Sequence, residues 1–112
     1  MTKFECILCI VNSGFSEAAM DAAKQFGAKG GTVIHGRGTV SKEEEKLFNI
    51  SIQPEKDIVI ILVTTDIKDN ILHALYNAVG TNTKAQGIAF SLPVEDVVGI
   101  NTSKKKEKKE EK

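Results

Sequence analysis

The run Asp57-Ile58-Val59-Ile60-Ile61-Leu62-Val63 is apolar at every position after its first. A strand sends successive side chains to opposite faces, so a strand of this composition has to be covered on both sides. The segment Phe4 to Val11 repeats the demand. Phe4, Cys6, Leu8 and Ile10 stand on one side of it, and Ile7, Cys9 and Val11 on the other. Any fold for this chain must therefore supply two coverings for one sheet. At 112 residues the chain is sized for a single domain with an ordinary core.

One covering comes from two helical patterns. After Asn12-Ser13-Gly14, the residues Phe15, Ala18, Ala19, Ala22, Ala23 and Phe26 recur at helical spacing, with Ser16 or Ser13 as a cap and Gly27 as a stop. Its small alanine face predicts close docking on a sheet. A second helix is expected from about Lys68 to Val79, with Ile71, Leu72, Leu75, Ala78 and Val79 on one face, Asp66 as its cap and Gly80 closing it. Between the helices, Gly30 to Thr39 reads as a strand running into a glycine-rich exit. Val40 to Phe48 is expected to form a short helical turn capped by Ser41, and Ile50 to Gln53 an exposed strand broken by Pro54. Gly87 to Val94 is the last strand. The order β-α-β-β-α-β is that of an α+β, ferredoxin-like sandwich, a four-stranded antiparallel sheet with two helices on one face. The other face then calls for neighbouring subunits.

Fifteen basic and fifteen acidic side chains cancel, so no general attraction to nucleic acid or anionic lipid is expected. The charge is concentrated at the end. Residues 104–112 hold six lysines and three glutamates with no apolar residue, which predicts a domain over residues 1–103 followed by a solvated, disordered tail. No apolar stretch is long enough to span a bilayer and the start lacks a signal-peptide pattern, so a cytoplasmic protein is expected. Cys6 and Cys9 are three apart on a strand and point to opposite faces. They are read as buried structural thiols rather than as a redox pair or metal ligands.

Three short segments, Gly14-Phe15-Ser16-Glu17, Ala22-Ala23-Lys24 and Gly27-Ala28-Lys29-Gly30-Gly31-Thr32, resemble the first helix and second strand of the P-II nitrogen regulatory proteins. The likeness continues through Gly36-Arg37-Gly38, at the base of that family's T-loop, and ends near Val98. The resemblance implies a homotrimer with sheets lining its centre. It also implies an adenine nucleotide, ATP, ADP or AMP, held as effector between subunits, and regulatory docking on a membrane transporter or enzyme. No enzymatic cofactor is implied. Carried onto this sequence, it assigns Gly36, Arg37, Gly38 and Thr39 to phosphate, through backbone N–H groups and a guanidinium, and places Thr32 near the adenine and His35 beside the ligand.

The chain also departs from that pattern. The family's glycine-aspartate-glycine-lysine B-loop is replaced by Gly80-Thr81-Asn82-Thr83-Lys84-Ala85-Gln86-Gly87-Ile88, in which Lys84, Gln86 and Gly87 are the candidate contacts. The family's paired C-terminal arginines correspond to Gly99 and Asn101. The T-loop is short and has no tyrosine. Tyr76, the only one, lies on the second helix and is expected to be half-buried. Altered ligand chemistry on a P-II scaffold follows. Two other classes stay open: a metal-responsive trimer like the CutA proteins, which would need His35 as a ligand, and a small enzyme, for which no nucleophile, catalytic triad or metal-ligand cluster stands out. Partner binding without any ligand is a further alternative. His73 is read as an ordinary helix-surface residue.

Overall fold

The structure, a computed structural model, describes residues 3–39 and 54–100. Strand β1 (Phe4–Asn12) leads to helix α1 (Ser16–Gln25), then to β2 (Thr32–Arg37) and β3 (Glu55–Thr64). Helix α2 (Thr65–Val79) and β4 (Ile88–Val94) complete the domain. The four strands form one antiparallel sheet in the order β2-β3-β1-β4. This is the ferredoxin-like arrangement expected from the order of apolar patterns. The expectations for residues 40–48, for Ile50 to Gln53 and for the tail lie outside the described residues.

Alternation along the strands builds the core on the helix side. Ile7, Cys9, Val11, Val59 and Ile61 are wholly buried there, and α1 and α2 close over them with Ala19, Ala22, Ala23, Ile71, Ala74, Leu75 and Val79. Ala18, Ala78 and Phe26, grouped with those helix faces by spacing, are exposed instead, and Ala74 is the buried residue the pattern missed. Alanines let α1 sit close to the sheet. Gly31 lies between α1 and the sheet without room for a side chain: a Cβ there would lie 2.8 Å from the Ile60 carbonyl oxygen and 2.9 Å from Met20 Sδ.

The helix starts differ from expectation. Neither helix has a side-chain cap, so Ser13, Ser16 and Asp66 do not serve as caps. Helix α2 begins at Thr65 because that residue's N–H finds the Lys3 carbonyl at 2.9 Å, a tertiary partner that the local sequence does not announce. Asp66 lies inside the first turn, where its charge complements the helix dipole, as does Glu17 in α1. Gly27 does end the first helix, with φ at +111°.

The second sheet face is open in a single chain. Antiparallel register stacks Ile34, Ile58, Ile10 and Ile88 in one row across it, and Ile60, Leu8 and Phe90 in the next. Ile34, Ile88, Phe90 and Leu92 are each exposed by 42% or more. The cysteines fall on opposite faces as expected. Cys9 is buried, and burial pushes its thiol up to about 11, whereas Cys6 is only half-buried on the open side. Tyr76 is a correction: it is 58% exposed, because it turns away from the face of α2 that carries Ile71 and Leu75. His73 is exposed on α2 as read.

Candidate effector site at one end of the sheet

Antiparallel pairing brings four segments to the same end of the sheet: the exit of β2, the start of β3, the exit of β1 and the start of β4. Gly36 lies opposite Lys56, Lys56 opposite Asn12, and Ile10 opposite Ile88. The glycine-rich residues Gly36 and Gly38, with Arg37 and Thr39, leave from this end, and Lys84, Gln86 and Gly87 enter at it. They do so from opposite edges. β3 and β1 stand between β2 and β4, so three strand spacings, about 14 Å, separate the two groups within one chain. Thr32 lies at the far end of β2 and on the open face, opposite Ile60.

Residues that the sequence did not single out hold this end together. Asp57 on β3 is nearly buried, its side chain only 3% exposed. One carboxylate oxygen meets His35 Nδ1 at 2.7 Å, and the other accepts the Gly14 N–H at 3.1 Å. These contacts hold the carboxyl below the usual carboxylate range, the Gly14 N–H having the largest effect and the His35 hydrogen bond the next. One residue back, on the other face, Lys56 Nζ donates to Asn12 Oδ1 at 2.8 Å. The Asn12 amide nitrogen in turn donates to the Lys84 carbonyl at 3.0 Å. Asn12 thereby connects the start of β3 to the loop before β4. Polar side chains at these positions could have been noticed as breaks in otherwise apolar strands. Their partners could not.

The loop from Gly80 to Gly87 is closed on itself. Thr83 Oγ1 donates to the Gly80 carbonyl at 2.8 Å and accepts the Ala85 N–H, and the Thr83, Gln86 and Gly87 N–H groups donate to Gly80, Thr83 and Val79 carbonyls. Ala85 is buried and its carbonyl takes the Asn12 N–H. Gly87 is a packing position: a Cβ there would come within 2.4 Å of the Val79 carbonyl oxygen and 2.8 Å of Val11 Cγ1. Gln86 takes a left-handed conformation, φ +48°.

Of the candidate contacts, one glycine in each loop has its backbone donor engaged. The Gly38 N–H donates to the Pro54 carbonyl at 2.7 Å, and the Gly87 N–H to Val79 at the same distance, so neither amide is offered to an anion. Glycine at position 38 allows close approach, since an added Cβ would meet Lys56 Cε at 3.1 Å and Pro54 Cγ at 3.3 Å. Arg37, His35 and Lys84 remain exposed at this end. Among the described residues, no three His, Cys, Asp or Glu side chains gather as a metal-binding group, and no helix is long and apolar enough to cross a membrane.

Comparison with known proteins points to one family. The sequence pattern described as nitrogen regulatory protein P-II matches residues 4–104. No curated protein matches the chain by sequence. Among solved structures, the PII protein of Arabidopsis thaliana, bound to citrate, superposes with a TM-score of 0.68 at 24% identity, covering 88% of this chain and 84% of that one. A putative PII-like signalling protein from Thermus thermophilus matches with a TM-score of 0.63 at 18% identity, covering 82% and 86%. A nitrogen regulatory PII-like protein from Thiomonas intermedia, bound to ADP, AMP and bicarbonate, matches with a TM-score of 0.64 at 16% identity, covering 88% and 97%.

Proposed function

Because the chain belongs to the nitrogen regulatory protein P-II family, we propose that it is a PII-like signalling protein that assembles as a homotrimer and binds an adenine nucleotide between subunits. It works as a regulatory binding protein and not as a catalyst. The observation that carries this reading is the placement of two loops. The Gly36–Thr39 exit and the loop holding Lys84 lie at the same end of the sheet but at opposite edges. Placing the β2 edge of one subunit beside the β4 edge of another would bring copies of the two loops together on one ligand. Packing the open apolar face against its copies supplies the force for that assembly, since the exposed Ile34, Ile88, Phe90 and Leu92 would otherwise remain in water.

In this reading Arg37 provides the charged contact to phosphate, with His35, Gly36 and Thr39 beside it, while Thr32, on the open face at the far end of β2, meets the base only from another subunit. Lys84 and Gln86 approach from the neighbouring subunit. Gly38 and Gly87 contribute the close backbone approach rather than hydrogen-bond donors. The ADP and AMP bound by the Thiomonas protein support the choice of nucleotide class. Through the segment that follows Thr39 the protein meets a membrane transporter or a metabolic enzyme, and occupancy of the site controls that docking.

Isothermal titration with ATP, ADP and AMP tests this. One of the three should bind saturably, and Arg37→Ala should weaken it by roughly 10- to 100-fold, the effect of a charge-assisted hydrogen bond. Absence of binding by all three, or binding indifferent to Arg37, would sink the nucleotide reading.

A further inference from the structure

The His35 ring is exposed over 83% of its side chain, yet one of its nitrogens is fixed on a carboxylate that is only 3% exposed. Asp57 stays ionised, because the Gly14 N–H and the ring both favour the charged form. An ionised carboxylate only accepts hydrogen bonds. The 2.7 Å contact therefore requires the hydrogen to sit on His35 Nδ1. In a neutral imidazole that leaves Nε2 with a bare lone pair, and the exposure of the ring makes it available to solvent. Strand pairing sets the geometry, because His35 and Asp57 are direct partners in the β2–β3 register. The Gly14 hydrogen bond holds the second oxygen, which stops the carboxylate from swinging away from the ring.

Resting on the nucleotide reading above, we infer that His35 Nε2 selects the effector by accepting a hydrogen bond from it, and that Asp57 is the positioning residue that fixes Nε2 in that role. The site then favours an effector that carries an N–H or O–H donor beside its anionic group, as a ribonucleotide does in its sugar hydroxyls and base amine. Arg37 lies two residues further on the same face of β2 and answers the anionic part. An anion without a donor gains nothing from Nε2. Charge attraction alone, by contrast, would treat nucleotide and donor-free anion alike.

The test separates the contact atom from the latch. His35→Asn places an amide nitrogen close to the Nδ1 position, so the bond to Asp57 is kept while Nε2 is lost. At about pH 8, titration with ADP and with inorganic sulfate, an anion that carries no proton, compares this variant with the wild type. ADP binding should weaken about three- to tenfold, the effect of one neutral hydrogen bond, and sulfate binding should not change. Nitrogen-detected NMR of the wild-type ring should show the hydrogen on Nδ1, a reading that needs neither ligand nor variant. A ring protonated on Nε2 overturns the inference, as does equal loss of both ligands or no loss of ADP in a folded His35→Asn protein. ADP binding lost in Arg37→Ala but untouched in His35→Asn rejects this inference alone. Failure of the wild type to bind ADP rejects it together with nucleotide recognition.

Discussion

The two faces of the sheet are built from the same strands and nearly the same residues, yet only one of them is finished within the chain. Ile61 and Ile60 are neighbours on β3. Ile61 is wholly buried beneath α1 and α2, while Ile60 is half-exposed on the other side. The same division separates Ile7 from Leu8 on β1 and Ala89 from Phe90 on β4. Two helices of these lengths cover one face of a four-stranded sheet and no more, so a sequence that makes both faces apolar leaves one of them without a covering from its own chain. The end of the sheet adds a third environment. There the alternation is interrupted by Asn12, Lys56 and Asp57, whose hydrogen bonds join segments that backbone pairing alone would leave independent.

Substitution can sharpen that contrast. The largest effect on the fold is expected from Ile61→Ala on the closed face, which should lower the unfolding free energy by about 2–5 kcal/mol in denaturant titration. A loss below about 1 kcal/mol would mean that the helices cover this face less completely than the structure indicates.

Asp57→Asn comes next, at about 1–3 kcal/mol, since it weakens the hydrogen bonds to Gly14 and His35. Its pH signature has a definite sign. The folded-state carboxyl titrates below its unfolded value, so its contribution is present above that unfolded value, near about 3.9, and disappears as pH falls through the lower folded value. Stability measured between about pH 6 and pH 2.5 should therefore fall more steeply for the wild type than for the variant. Parallel curves would show that Asp57 is not a coupled acceptor.

Leu8→Lys, in the middle of the open face, should cost a single subunit least, within about 1 kcal/mol. It should nonetheless dissociate the proposed trimer in sedimentation velocity while leaving the circular dichroism spectrum intact. A trimer that survives this charge would show that the open face is covered in some other way.

Periodicity in the sequence was enough to determine the order of elements, the antiparallel sandwich and the demand for covering on both faces. Each of these follows from which side of a strand or helix an apolar residue occupies, a property carried by spacing along the chain. Gly27 as a helix stop was legible for the same reason, because only the local backbone conformation is involved. The glycine exit after β2 and Arg37 were visible as a motif, and the positions to which they belong were carried by resemblance to the family.

Tertiary structure alone decided which donors and acceptors remain for a ligand. The Gly38 and Gly87 N–H groups look available in the sequence, but carbonyls of Pro54 and Val79 take them, one across a chain separation of 16 residues and the other across 8. The start of α2 depends on the Lys3 carbonyl, 62 residues away, and the tautomer of His35 on Asp57, 22 residues away. Hydrogen bonds act over about 3 Å between atoms brought together by folding. Pairing of that kind leaves no periodic trace in the chain, whereas the burial of apolar surface does.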